Sequence, residues 1–282
     1  MYRIAIDFGG SNTDILIARL DASEERGGEI SQRRTTSAIN PTVDAIRALV
    51  AQAGLGVAEV ESIVVTGGRN RQLPEVLDGI PLRRVGEVEA IGRGGLLAAG
   101  LQEALVVSMG TGTAMVLAAG DQFRHLGGSA VGGGTLLGLG QLLLGTADPL
   151  EISALAAQGD LTRVDLTVGD IIGGPVGNIP ADFSAAHFGK AFKAARIDGF
   201  ARPRREDVAA GLCNLIGQAI ATTVLSTAST VQQSVIVLTG HLVEVPAVRD
   251  AMDAVDRLGA GNRFVVPAYP GFATALGALG GE

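Results

Sequence analysis

Two short segments carry the residue types best suited to holding a phosphate. Asp7-Phe8-Gly9-Gly10-Ser11-Asn12-Thr13 follows an apolar run, and Gly110-Thr111-Gly112-Thr113 follows a second one at Ala104–Ser108. Glycine lets backbone N–H groups approach phosphate oxygens, and Ser11, Asn12, Thr13, Thr111 and Thr113 add side-chain donors. Asp7, at the end of its run, is the kind of oxygen ligand that holds Mg²⁺ through water. On its own the first segment also fits an ordinary tight hairpin turn. Two such segments facing one cleft make a phosphate clamp. Neither is a Walker A loop, because no Gly-Lys-Ser/Thr follows. Neither is a dinucleotide fingerprint, because the third glycine is absent and a hairpin, not a helix, comes next.

A third glycine cluster, Gly127-Gly128 followed by Gly132-Gly133-Gly134-Thr135, runs into the apolar stretch Leu136–Leu144. Free N–H groups and the dipole at such a helix start favour an anion, so this segment reads as nucleotide contact. Glu87 follows Gly86 and precedes Glu89 at the start of a helical pattern. It suits a general base that takes a proton from a hydroxyl, though by spacing alone the acidity favoured in a first helical turn is the better fit. His125, His187 and His241 have no metal-site spacing. His241 follows Gly240 at a strand end, where it can serve as a structural residue or contact a nucleotide's base or ribose. Cys213 lies in an apolar helical pattern and reads as a buried, inert thiol.

The elements that must carry these segments alternate. Arg3–Phe8, Asp14–Leu20 and Ile30–Thr35 read as strands, with a polar turn at Asp21–Glu29. Asn40-Pro41 fits a helix cap with proline in the first position, ahead of Val43, Ile46, Leu49 and Val50 on one face. Glu61–Thr66 is a buried strand ending at Gly67-Gly68. The pattern restarts after Pro81: helix Glu87–Ala99, strand Ala104–Ser108, hairpin Ala114–Ala118 with Gln122–Leu126, irregular chain over 165–190, helix Asp207–Gln232, strand Ser234–Thr239 and helix Gly271–Leu279. This is the order of an α/β protein. Strand ends rich in glycine recur, which suggests two related halves.

Composition narrows the function classes. The 41 glycines among 282 residues, with 10 prolines, no collagen period and 47% hydrophobic residues, exclude a collagen helix and a disordered chain. A formal net charge of −7 argues against a nucleic-acid surface. The single cysteine fits a reducing compartment. With no signal-peptide layout and no long uninterrupted apolar stretch, the chain reads as soluble and cytoplasmic, with no membrane partner.

Taken in order, these segments resemble type II pantothenate kinases of the actin-like ATPase and sugar-kinase superfamily. The likeness rests on Ile6-Asp7-Phe8-Gly9-Gly10-Ser11, Val65-Thr66-Gly67-Gly68, Val85-Gly86-Glu87-Val88-Glu89-Ala90, Met109 to Thr113, Gly127 to Gly140, Ile179 to Gly189, Leu238-Thr239-Gly240 and Phe272 to Leu279. It implies two actin-like (ribonuclease H-like) domains, 1–83 and 84–282, around an ATP cleft. It also implies Mg²⁺, a homodimer and phosphorylation of pantothenate, the first step toward coenzyme A. The family's proton acceptor falls on Glu87, its adenosine side on Gly240 and His241, and its substrate side on Thr113, Arg124, His125 and Gly128.

Two places depart from the family's pattern. Its first loop usually ends in lysine, where this chain has Asp14, as hydantoinase-type and activator-type relatives do. Its substrate-side arginine aligns with His125, while Arg124 is one place off and so on the other face of a strand. Two alternatives stay open: a kinase for another hydroxy acid or small alcohol, and an ATP-driven activator. Such activators commonly carry cysteines for an iron–sulfur cluster, for which Cys213 alone is poor material.

Overall fold

The computed structural model describes residues 1–20, 30–35, 39–68, 70–194, 203–259 and 263–281. The turn read over Asp21–Glu29 lies outside these residues. The first half begins with β1 (Tyr2–Phe8), β2 (Thr13–Arg19) and β3 (Ile30–Thr35), an antiparallel meander. Helix α1 (Val43–Gln52) crosses to β4 (Val60–Gly67), and the short β5 (Val76–Leu77) and β6 (Ile80–Arg84) complete a six-stranded sheet ordered β3-β2-β1-β4-β6-β5. β4 and β6 run parallel to β1 and β4 respectively.

Helix α1 starts later than Asn40-Pro41 suggests. Thr42 is the cap: its backbone is extended and its hydroxyl accepts the Ala45 N–H at 3.1 Å. A threonine oxygen that satisfies an otherwise orphan helical N–H outcompetes proline's preset φ two residues earlier. Ile46, Leu49 and Val50 then bury one helical face against Ile4, Ile6 and Ile63 of the sheet.

Helix α2 (Glu87–Ala99) leads into the second half. There β7 (Glu103–Met109), β8 (Thr113–Ala119) and β9 (Gln122–Ser129) form another antiparallel meander. Helices α3 (Gly133–Leu144) and α4 (Pro149–Ala156) follow. Next come β10 (Leu166–Thr167), α5 (Val168–Ile172), β11 (Ser184–Ala186) and α6 (Gly189–Ala194) in the stretch read as irregular. Helix α7 (Arg205–Thr230) is long and apolar enough to cross a membrane, and most of it is buried inside the protein. After it come β12 (Val235–Thr239), α8 (Pro246–Asp256), β13 (Arg263–Val265) and α9 (Ala273–Leu279).

The second sheet is ordered β13-β12-β7-β8-β9, with β12 parallel to both β7 and β13. It repeats the first: a three-strand meander, then parallel strands added beside its first member. The repeat extends to single residues. Gly67 ends β4 with φ +82°, and a Cβ there would come within 2.5 Å of the Phe8 carbonyl oxygen. Gly240 follows β12 with φ +88°, and a Cβ there would come within 2.4 Å of the Met109 carbonyl oxygen. In each half the chain leaves the added strand through a left-handed glycine pressed onto the end of the meander's first strand.

Helices α3, α4, α7 and α8 cover one face of the second sheet, and α2 covers the other. Helix α9, last in the second half by number, packs instead on β1, β2 and β4. Ala275 and Ala278 join Ala5, Leu16 and Val64 in one apolar cluster, so α9 closes the face of the first sheet that α1 leaves open. Helices α2 and α9 therefore lie between the two sheets.

Candidate functional site

The repeat brings the loop after β1 and the loop after β7 to the same cleft. The Ser11 and Thr111 hydroxyls are hydrogen-bonded at 2.8 Å. Gly10 lies so close to Thr111 that a Cβ would sit 2.8 Å from its hydroxyl oxygen. Gly10, Gly110 and Thr111 are exposed at the cleft mouth, and Gly9, Ser11, Asn12 and Gly112 are half-buried behind them.

The two flanking threonines do other work. Thr13 is fully buried and accepts the Ile39 N–H, while Thr113 is buried and donates to the Val131 carbonyl at 2.9 Å. Both hold the loops' bases in place, and neither offers its hydroxyl to the cleft.

The glycine run ahead of α3 also departs from the expectation of free N–H groups. The Gly133 N–H donates to Gly110 O at 2.8 Å and the Gly134 N–H to Thr111 O at 2.9 Å. The Gly132 N–H donates to Thr135 Oγ1, which itself donates to Ala130 O. These donors are spent inside the protein. The run matters for contact: a Cβ on Gly132 would come 2.6 Å from Gly112 Cα, so only glycine lets α3 back onto the second loop.

Asp7, the last residue but one of β1, is half-buried opposite Asp14 on β2. Burial, reinforced by the negative charges of Asp14 and Glu87, pushes its carboxyl up to about 7 against a partial counter-effect from His241. A buried carboxyl held up by two neighbouring carboxylates marks a place where a cation would be welcome. They do not form a ready-made cage, since no described group of three His, Cys, Asp or Glu is placed to hold a metal. That pattern fits Mg²⁺, which keeps its waters and takes one carboxylate plus phosphate oxygens.

Asp14 is buried and bonded to a residue 227 positions away: His241 Nε2 lies 2.9 Å from Asp14 Oδ1. The other ring nitrogen lies 3.1 Å from Glu244 Oε2, and Phe272 meets the ring edge-on. Burial alone would lower the imidazole's pKa. The hydrogen bonds to Asp14 and Glu244 outweigh it and carry it up to about 9. His241 is therefore a clamped cation, and its ring is not open toward a nucleotide base as its position after Gly240 suggested.

Glu87 is the first residue of α2, exposed, behind an N-cap glycine without a side-chain cap. It borders a cavity of about 680 Å³ that Asn40, Thr42, Gly67, Gly68 and Arg71 also line. On β9, His125 pairs with Val116, which faces α2, and Arg124 pairs with Leu117 on the opposite face. The one-place difference therefore separates them as the strand period demands. His125, like Gly128, is exposed, and neither borders the Glu87 cavity.

Two features were out of reach of sequence reasoning. One is the turn Asn70–Gln72, which presents Arg71 to the cavity. The other is Asp165, fully buried, which accepts from Ser184 Oγ at 2.5 Å, the Phe188 N–H at 2.8 Å and Asn214 Nδ2 at 3.1 Å, with His187 Nδ1 at 3.2 Å. Ser184 and His187 each meet Asp165, so the group anchors the chain from β11 to α6 onto α7.

A family model described as Fumble matches residues 101–279. The chain belongs to the Fumble family. A type II pantothenate kinase of Oceanobacillus iheyensis is 30% identical over 246 residues, 85% of this chain and 84% of its own length. One from Bacillus cereus is 31% identical over 176 residues, and that match spans 60% of this chain and 62% of the relative. Among solved structures, the activator of 2-hydroxyisocaproyl-CoA dehydratase from Clostridium difficile, with bound ADPNP, has a TM-score of 0.65 at 17% identity, covering 99% of this chain and 92% of that one. A ROK-family glucokinase from Streptomyces griseus, with glucose and AMPPNP, has a TM-score of 0.55 at 18% identity, covering 99% and 98%. The fold of this Fumble-family chain is thus the actin-like one, two α/β halves about a cleft.

Proposed function

We propose that this chain is an ATP- and Mg²⁺-dependent kinase that phosphorylates a primary hydroxyl, with pantothenate or a related hydroxy acid as acceptor. One observation carries the reading most directly. The Gly9–Ser11 loop meets Thr111 of the second loop at the mouth of the cleft, and Glu87 borders an adjoining cavity large enough for a small acceptor. Family membership and kinases named among its relatives support it.

In this reading the backbone of Gly9, Gly10, Gly110 and Gly112, with Ser11, Asn12 and Thr111, holds the phosphates. Asp7 would hold Mg²⁺ through water, and the bound ion would offset charge on the phosphate oxygens. The Glu87 carboxylate takes the proton from the acceptor hydroxyl, which frees that oxygen to attack phosphorus. Phosphoryl transfer depends chiefly on positioning and charge stabilisation. Glu87→Gln should therefore lower turnover about 100-fold or more while ATP affinity changes little. ADP release with pantothenate, with other hydroxy acids and without acceptor tests both assignments. Near-normal turnover of the variant overturns Glu87 as base, and acceptor-independent turnover overturns the kinase.

The activator reading has Cys213 against it. That thiol is buried in α7 and desolvation pushes it up to about 12, which makes it a poor cluster ligand. Exposed Leu142, Leu143 and Leu150 support a homodimer as the working state.

A further inference from the structure

Among the described residues that line the Glu87 cavity, Arg71 is the one cation and Glu87 the one anion. Arg71 stands on the 3₁₀ turn Asn70–Gln72, and that turn is fixed from three sides. The buried Asn70 amide donates to Gly67 O at 3.1 Å, Arg84 Nε donates to Asn70 O at 3.2 Å, and a second Arg84 nitrogen donates to Leu73 O. Arg84 is thus spent on backbone carbonyls. Arg71 is exposed, and none of the described carboxylates is paired with it.

A guanidinium carried on a fixed turn, without a described carboxylate partner, on the wall of a cavity that also holds the proposed base, has a chemical meaning. Neutral polyols would gain nothing from it. An acceptor with a carboxylate would otherwise enter a cavity whose described lining brings it the negative charge of Glu87, and a far-end cation offsets that repulsion. The residues first read as gripping the acid do not supply this cation in the cavity: Arg124 is on the far face of β9, and His125 does not border the cavity.

We infer that Arg71 binds the carboxylate of an acidic alcohol whose hydroxyl lies at Glu87. The acceptor is thereby selected as a hydroxy acid by the first half of the chain. This rests on the reading of Glu87 as base only for which end of the acceptor faces it; the carboxylate subsite itself is measured by binding.

The test is titration calorimetry on the full chain with AMPPNP and Mg²⁺, using two matched pairs of probes: pantothenate against pantothenol, and glycerate against glycerol. Each neutral member lacks only the carboxylate. Wild type should bind the acids more tightly than the neutral alcohols. Arg71→Ala should weaken the acids about 10- to 100-fold, the range of a charge-assisted hydrogen bond, and leave the alcohols unchanged; Arg71→Lys should recover part of the loss. Equal binding of acid and alcohol by wild type, equal loss of both in Arg71→Ala, or no binding of either acid overturns the inference. Glu87→Gln should keep acid binding within about threefold, because it carries no part of the carboxylate grip. If that variant turns over normally while the Arg71 pattern holds, the base assignment fails and the carboxylate subsite stands.

Discussion

Asp14 and His241 come from different halves of the chain and meet at 2.9 Å, joining the strand that follows the first glycine loop to the turn that follows β12. With Ser11 and Thr111, this is a second direct bond across the cleft. Asp14 carries a negative charge beside the first glycine loop, and its cationic partner comes from the opposite half.

That pair makes stability pH-dependent in a defined window. The imidazole titrates at about 9 in the folded chain against an ordinary 6.5, so its stabilisation is complete below about pH 6.5 and is lost as pH rises through about 9. The groups facing it are Asp14, Glu244 and, at longer range, Asp7. His241→Gln should cost about 2–3 kcal/mol in urea unfolding at pH 6 and almost nothing at pH 10. A pH-independent difference would show that the ring acts by packing against Phe272 and not by charge.

The left-handed glycines should be equally intolerant. Ala at position 240 or 67 places a Cβ within 2.5 Å of a backbone carbonyl at positive φ, so each substitution should cost about 2 kcal/mol or more. Thermal unfolding of Gly67→Ala and Gly240→Ala reads this directly. A Tm within 1–2 °C of wild type for either one would mean that its strand end relaxes freely.

Asp165 concentrates four hydrogen bonds on one fully buried carboxylate, and those bonds hold its pKa below the usual carboxylate range against the opposing effect of burial. Asp165→Ala should cost about 3 kcal/mol, because buried Asn214 and half-buried Ser184 lose their carboxylate acceptor and keep only each other. The same variant should show faster proteolysis between β11 and α6, and unchanged cleavage there would separate the network from that segment's order.

Cys213 should resist thiol reagents in the native state. Buried, with its pKa pushed up to about 12, it should react with a disulfide reagent at pH 8 at the rate of global unfolding. Rapid stoichiometric labelling without denaturant would show that α7 opens locally.

The chain's periodicities made much of this architecture legible. Glu87–Ala99 reads as a helix between Gly86 and Gly100, and those two glycines bound it in the structure. The two glycine loops that meet at Ser11 and Thr111 stand out by residue type alone, since glycine lets backbone approach closely. What sequence could not supply was partnership. Nothing local to Asp14 points to His241, and nothing in Gly133-Gly134 reveals that their N–H groups face the Gly110 and Thr111 carbonyls. Arg71 looked like any surface arginine until Arg84 and Asn70 were seen fixing its turn. Properties set by one residue's neighbours in sequence were readable, and properties set by neighbours in space were not.

The position of α9 has a consequence for how the protein is made. The inner face of the first sheet, with Ala5, Leu16 and Val64, is covered by residues 275–279, which leave the ribosome after every strand of both sheets. During synthesis that sheet waits with one apolar face bare while nearly 200 further residues are added. The first half to be translated is thus the last to be finished, and a nascent chain stalled anywhere before residue 273 exposes a surface that a chaperone must shield.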